Sequence, residues 1–268
     1  MKAVVDARRR RYSRHLTGRG LEIGALGNPM PLPYASEVLY SDLLLPEQID
    51  AMYPGSRHPD IISDSEHFDG VATGTFDFVV ANHVLEHVTD PIGALIEWHR
   101  ILKPGGLLLI SLPDKRYTFD RRRRRTPLAH LEEDHHSDAP PQLRNECHLR
   151  EWAEHVEGLR PGSAELEAWM AEQRRIGFAV HNHVWVLQDV LELVMHLRER
   201  YRVGFRLVRW SNTSLLGNEF NLLLRKGEGG AGLMRMARIL AMVAEPVHQV
   251  ASRVRRALGG LKPALRCS

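Results

Sequence analysis

Apolar residues along this chain fall into two alternating rhythms. Short runs of strand length occupy residues 20–24, 38–40, 60–64, 76–81 and 107–112, most ending in Gly, Asp, Asn or Pro within a residue or two. Residues 91–102 instead place Ile92, Leu95, Ile96 and Ile101 near the 3.6-residue helical period. Residues 184–201 do the same with Val186, Leu187, Val190, Leu191, Val194 and Leu197. Strands separated by crossovers predict a mostly parallel sheet with helices on both faces. Two further strands, 205–210 and 219–225, are joined through the turn residues 211–218 rather than a helix. A direct connection of that kind predicts an antiparallel pair at the sheet end. The expected class is α/β, with seven strands of which the last is antiparallel.

The rhythm breaks in residues 113–183, which are polar and rich in His, Arg and Glu, with helical patches at 149–156 and 164–173. Structureless loops beyond about 15 residues are uncommon in compact domains, so this insertion is expected to fold as a helical lid. An Arg-rich helix is expected over 5–16, within an N-terminal unit 1–17, before a main domain 18–226. The tail, 227–268, has apolar residues at steps of three or four with arginines between them, interrupted by Pro246.

Composition narrows the classes. The chain has 268 residues, 43% apolar and 26% charged, which suits an ordinary globular protein. The net charge of +3 and the 7% aromatic content, with no basic stripe interleaved with aromatics, argue against a nucleic-acid partner. From residue 229 onward the tail holds seven basic residues and one acid, leaving the rest of the chain slightly acidic. A basic amphipathic segment of this type suits peripheral contact with an anionic membrane surface. The two cysteines, Cys147 and Cys267, lack metal-type spacing and suggest a reducing compartment. No apolar leader is visible in residues 1–14 and no 18-residue apolar run occurs. The expected location is therefore cytoplasmic, with the tail able to reach the inner face of a membrane.

The most informative stretch is 76–112, FDFVVANHVLEHVTDPIGALIEWHRILKPGGLLLISL. An apolar strand leads into Asn82-His83-Val84-Leu85-Glu86-His87, then a helix, then Lys103-Pro104-Gly105-Gly106 as a helix stop, then a second strand. Its polar loop stands where open parallel sheets bind ligands, outside the strand carboxyl ends. The wording resembles the core of class I S-adenosylmethionine-dependent methyltransferases, in which an apolar strand precedes "H.LEH" and a helix ends in "LKPGG". The resemblance covers residues 18–112 by motif and 184–226 by layout. It implies a Rossmann-like seven-stranded sheet and S-adenosylmethionine as cofactor.

The family's first loop usually reads E/D-x-G-x-G-x-G. Here Glu22 and Gly24 fit, Leu26 and Asn28 replace the next two glycines, and Gly27 sits out of register. The absence of G-x-G-x-x-G argues against a nicotinamide cofactor, whose pyrophosphate needs that loop. Asp42 ends the second strand, where an acid can accept hydrogen bonds from ribose hydroxyls. The resemblance places Asp64 near the adenine, and Asn82 and His83 near the methionine part. The expected cofactor set is Glu22, Gly24, Ala25, Gly27, Asp42, Leu43, Asp64, Asn82 and His83.

Methyl transfer to a hydroxyl requires alignment and a base. The candidates are Asp114, after the fifth strand, His135 in the insertion, and His181 and His183 before the last long helix. Histidine suits the role because its ordinary pKa lies near operating pH. Alternation would turn His181 and His183 to one side of an extended segment. The insertion also collects Glu132, Glu133, Asp134, His136, Asp138, Glu146 and His148, a set with no diagnostic metal spacing. No metal ligand is assigned, and an oxygen-bound Mg²⁺ is the alternative. The arginines 121–125 read mainly as a solvated face, with one or two able to clamp an oxyanion. Residues 112–120, LPDKRYTFD, resemble methyltransferases encoded with glycan-assembly enzymes. The expected acceptor is a sugar, polysaccharide or other small-molecule hydroxyl. The alternatives are another small oxygen or nitrogen acceptor, or a binding protein of this fold without catalysis.

Overall fold

The structure is a computed structural model that describes residues 10–25, 27–213 and 217–228. Seven strands form one sheet: β1 (Gly18–Ile23), β2 (Ala35–Asp42), β3 (Ile61–Ile62), β4 (Phe76–Asn82), β5 (Leu102–Pro113), β6 (Phe205–Ser211) and β7 (Glu219–Lys226). Their order is β3-β2-β1-β4-β5-β7-β6. The first five pair in parallel, and β7 runs antiparallel between β5 and β6. The chain winds outward from β1 to β3, then returns to β4 on the other side of β1. That reversal opens a crevice at the carboxyl ends of β1 and β4, the usual ligand position in such sheets.

Burial follows position in the sheet. β4 and β7 are buried almost throughout because each is covered on both faces. β6 keeps Arg206, Val208 and Arg209 toward water or half-buried, as a strand that ends a sheet should. One core lies between the sheet and the helices α2 (Pro91–Ile101) and α6 (Leu187–Tyr201), with Trp98, Leu95, Val190 and Val194 fully or almost fully buried. A smaller core on the opposite face joins Tyr12, Leu16 and Met30 to Phe78, Val80, Leu109 and Leu223.

Two expected boundaries move. Lys103–Gly106 does not separate helix from strand: β5 already begins at Leu102, which pairs with Phe76 before the register shifts. Gly106 permits this, since a Cβ there would stand 2.9 Å from the Lys103 carbonyl oxygen and 3.1 Å from that of Asp77. The last long helix starts at Leu187, not 184. Residues 184–186 are held extended instead, with Val184 N donating to Thr126 Oγ1 at 3.0 Å and Lys115 N to the Trp185 carbonyl at 3.1 Å. The sequence pattern also gives no sign of α1 (Pro46–Met52) or α3 (Leu128–His135).

Between β5 and α6 the chain forms two 3₁₀ turns (Lys115–Tyr117 and Phe119–Arg122), α3, α4 (Pro141–Trp152), a π-helical turn (Ala153–Glu157) and α5 (Ala164–Ile176). Leu149, Trp152, Ala153, Leu166, Met170 and Val180 give this part its own small core. Residues 1–9, with the start of the expected helix 5–16, lie outside the described residues, as does the basic tail from 229 onward. Among the described residues no helix is long and apolar enough to cross a membrane.

Candidate active site

The crevice wall from β1 is set by a buried acid. Glu22, 2% exposed, accepts the Met30 backbone N–H with both carboxylate oxygens, at 2.9 and 3.0 Å. That contact fixes the far end of the 24–30 loop. Gly24 opens the loop at φ +64, where a Cβ would stand 3.1 Å from Val84 Cγ2. Glycine is required there both for the left-handed backbone and for the close approach of the β4 loop. Leu26 lies outside the described residues.

At the end of β2, Asp42 lines a shallow depression with Ala25, Tyr40, Ser41, Arg57 and Pro59. Asp42 Oδ1 accepts from Leu44 N at 3.0 Å, which orients the carboxylate. Leu43 is 64% exposed beside it, an apolar group unused by the core. The Arg57 guanidinium lies 4.3 Å from the Tyr40 ring centroid. The loop is variant, but a glycine at φ +64, an oriented carboxylate and an exposed leucine suit a nucleoside without phosphate. Gly27, also expected in this set, is exposed and packs toward Ser56. Asp64 stands apart in role: its carboxylate accepts from Glu66 N and His67 N and pairs with His67 Nδ1 at 3.0 Å, closing the turn after β3.

The wall from β4 is built around His83, which takes a left-handed φ of +55. Its Nε2 lies 2.9 Å from Glu219 and its Nδ1 3.3 Å from Glu86, two carboxylates each about 1% exposed. Burial disfavours the imidazolium, but the hydrogen bonds and charges of Glu219 and Glu86 outweigh it and push His83 up to about 9. His83 is therefore a fixed cation, unsuited to be a base at neutral pH. Asn82 holds the strand end: its Oδ1 lies 2.7 Å from Ser111 Oγ and its Nδ2 3.9 Å from Met30 Sδ.

Segment 180–183 docks on the loop after β4. His87 Nδ1 donates to the Val180 carbonyl at 2.8 Å, Asn182 N donates to the Glu86 carbonyl at 2.7 Å, and Asn182 Nδ2 donates to the His87 carbonyl at 2.7 Å. This brings His181 to His87, with ring centroids 4.9 Å apart. His181 Nδ1 pairs with Asp120 Oδ2 at 2.8 Å. Burial raises the Asp120 carboxyl, but the hydrogen bond and charge of His181, and Arg123, hold it below the usual range. Phe119 and Trp152 flank His181 at 4.9 and 5.8 Å, and Phe178 stands 6.3 Å from Trp152. The result is a carboxylate-oriented imidazole beside an aromatic wall.

The other three candidate bases are engaged elsewhere. Asp114 is fully buried, with Oδ1 and Oδ2 held by Arg116 at 2.9 and 2.7 Å and Oδ2 also by Thr213 at 2.9 Å. His135 Nδ1 pairs with Asp90 at 2.8 Å, on the residue that caps α2. His183 does not share a partner with His181: its Nε2 lies 3.0 Å from Asp134 and its ring stacks on Trp185. The arginine run is mainly exposed, as expected, but Arg123 is fully buried and donates to Asp120, Glu151 and the carbonyls of His181 and Asn182. Sequence reasoning gave no role to Asp120, although it closes the 112–120 motif.

A seven-stranded sheet with this strand order, a depression at the end of β2 and a polar loop after β4 suit a class I methyltransferase. Residues 37–173 match the family described as "Methyltransferase domain", and the chain belongs to that family. It is accordingly an S-adenosylmethionine-dependent enzyme of class I. No curated protein matches it. Similar solved structures include a candidate Zn-dependent alcohol dehydrogenase from Rhodobacter sphaeroides, at 16% identity and TM-score 0.50 over 79% of this chain and 86% of that one. The N-methyltransferase NodS from Bradyrhizobium japonicum WM9, solved with S-adenosyl-L-homocysteine, is 16% identical at TM-score 0.46 over 84% and 87%. An S-adenosylmethionine-dependent methyltransferase from Mesorhizobium loti is 15% identical at TM-score 0.45 over 81% and 96%. At these identities the likeness concerns the fold alone.

Proposed function

We propose that this enzyme methylates a hydroxyl oxygen of a sugar, polysaccharide or other small molecule, with His181 as the general base. The observation that carries the reading is the Asp120–His181 pair, set against His87 on the loop after β4. S-adenosylmethionine supplies a methyl group already activated on a sulfonium. Gly24, Ala25, Asp42 and Leu43 would hold its nucleoside, and Asn82 with the cationic His83 would shape the methionine end. The chain's own chemical task is then to place the acceptor and receive its proton.

Asp120 fixes the Nδ1–H tautomer of His181, so Nε2 is the nitrogen with a lone pair. That nitrogen takes the acceptor hydroxyl's proton as the oxygen forms its bond to the methyl group, and the imidazolium is stabilised by Asp120. A hydroxyl becomes nucleophilic enough only as it gives up its proton, so an oriented base suits an oxygen acceptor. Phe119 beside the base and Phe178 beyond Trp152, each 42% exposed, offer apolar faces on which a sugar ring can lie.

The test is incubation with S-adenosylmethionine and matched panels of hydroxylated glycans, small phenols and alcohols, and amines. Release of S-adenosylhomocysteine reports turnover, and NMR locates the methyl group. Methylation of oxygen is expected. Methylation confined to amines would overturn the acceptor class, and cofactor binding without turnover on any panel would favour a binding protein of this fold.

A further inference from the structure

Two residues beyond His181, the chain enters a different cluster that the methyl-transfer site does not use. His130 and Asp134 lie one turn apart on α3, so both project from one face. His148 comes from α4, and His183 from the extended segment before α6. Asp134 Oδ2 stands 3.0 Å from His183 Nε2 and 3.3 Å from His130 Nε2. The rings of His130, His148 and His183 have centroids 5.0 to 5.8 Å apart. One donor atom from each of the four residues lies within 4.8 Å of all the others.

We propose that His130, Asp134, His148 and His183 form a structural binding site for a zinc-type divalent metal ion. Three imidazoles and one carboxylate make a complete tetrahedral donor set. With metal–donor bonds of about 2.0–2.1 Å, neighbouring donors stand about 3.3–3.4 Å apart, close to the two shortest separations here. Nitrogen donors outnumber oxygen three to one, which selects zinc-type ions over Mg²⁺ or Ca²⁺.

The polar accounting points the same way. His148 is 4% exposed, yet its Nε2 is buried without a hydrogen-bond partner, while His183, 0% exposed, turns Nε2 toward Asp134 and the cluster. Buried ring nitrogens are normally paired. One carboxylate cannot serve three imidazoles, whereas one cation can take a lone pair from each. The His130 side chain, 31% exposed, marks the side from which an ion enters. All four positions are filled by protein, so the ion has no open place for substrate and acts as a staple. It ties α3 and α4 to segment 180–186, which also carries His181. The smaller group Glu86, His87 and His181 shares its residues with the methyl-transfer site and already has partners in His83 and Asp120.

The test uses tag-free full-length protein stripped with a chelator, then titrated with Zn²⁺ by calorimetry and with Co²⁺ by visible absorption. One equivalent per chain is expected, with the intense bands of tetrahedral Co²⁺ and a raised melting temperature. His130→Ala lies on the partly exposed face of a helix, where alanine is well tolerated. It should leave the circular dichroism unchanged and weaken Zn²⁺ binding more than about 100-fold, beyond the roughly 10- to 100-fold that loss of an outer-shell contact costs. Asp134→Asn and His148→Ala should abolish the Co²⁺ bands. Failure of the wild-type protein to take up stoichiometric Zn²⁺ or Co²⁺ would overturn the proposal. So would wild-type affinity in folded His130→Ala.

Discussion

His181 and Asp120 are 61 positions apart in sequence and 2.8 Å apart in space, through Nδ1 and Oδ2. The contact exists because segment 180–183 is laid over the loop after β4 while the 3₁₀ turn Phe119–Arg122 delivers Asp120 from the other side. If this pair removes the acceptor proton, His181→Gln should lower kcat by about 10²–10⁴-fold, the usual worth of a positioned base. Asp120→Asn should lower kcat through loss of tautomer control, with a smaller effect on folding because Arg123 retains Glu151. Calorimetry with S-adenosylhomocysteine should show unchanged affinity in His181→Gln. A parallel loss of cofactor binding would instead make the residue structural.

Asp42 separates cofactor binding from catalysis. Its carboxylate lines the depression at the end of β2 and its own partner is a local backbone N–H. Asp42→Ala should weaken S-adenosylhomocysteine by roughly 10- to 100-fold, the equivalent of about 1.5–3 kcal/mol for a hydrogen bond to a charged group. The melting temperature of the free protein should hardly change, because Asp42 supports no packing beyond its own turn.

The strand skeleton was legible because burial on both faces leaves a strong one-dimensional signal. Phe76–Asn82 carries the apolar run 78–81 and Glu219–Lys226 the run 222–224, and the structure puts both strands in the sheet interior. The polar strand ends at Glu22, Asp42 and Asn82 were legible for the same reason. The insertion was not. Its contacts join residues about 30 to 60 positions apart, such as Arg123 to Glu151 and His183 to Asp134, and no local period encodes them. His181 and His183 show the limit: alternation placed both toward one side, yet each finds its own carboxylate. Asp120 had a signal, its place in the 112–120 motif, but its partner could be named only in three dimensions.

His83 makes stability depend on pH in a defined direction. Its folded pKa of about 9 exceeds the ordinary value of 6.5. Its contribution is therefore complete below about pH 6.5 and is lost as pH rises through about 9. Glu86 has the opposite sign: burial raises it, but His83 holds it below its ordinary value of 4.5, so its contribution is lost on acidification. Denaturant unfolding should show a maximum between these limits. His83→Gln should remove the alkaline loss and destabilise the neutral protein by about 3–5 kcal/mol, since it removes the cation that faces two buried carboxylates.

Acceptor recognition should show itself in KM. Phe119 beside His181, and Phe178 on the far side of Trp152, present exposed rings without belonging to the main core. Phe119→Ala and Phe178→Ala should each raise the acceptor KM roughly 2- to 10-fold, from about 0.5–1.5 kcal/mol of lost ring contact. Cofactor affinity should stay at the wild-type level. Equal loss of kcat and cofactor affinity would place the acceptor elsewhere.

Arg123 turns the arginine run from a surface feature into a strut. It is fully buried, and its guanidinium reaches Asp120, Glu151, and the carbonyl oxygens of His181 and Asn182. Arginine's planar fork can satisfy all four at once, whereas lysine would leave most of them unpaired. Arg123→Met conserves much of the apolar volume but removes the buried cation beside Asp120 and the donor to two carbonyls, so it should cost about 3–5 kcal/mol. Arg122→Met and Arg124→Met, at exposed positions in the same run, should stay within about 0.5 kcal/mol of wild type. Urea unfolding of the three variants checks this ordering. The Arg123 variant should also lose methyl transfer before it loses cofactor binding, because the groups it releases hold His181 rather than the β1 and β2 strand ends.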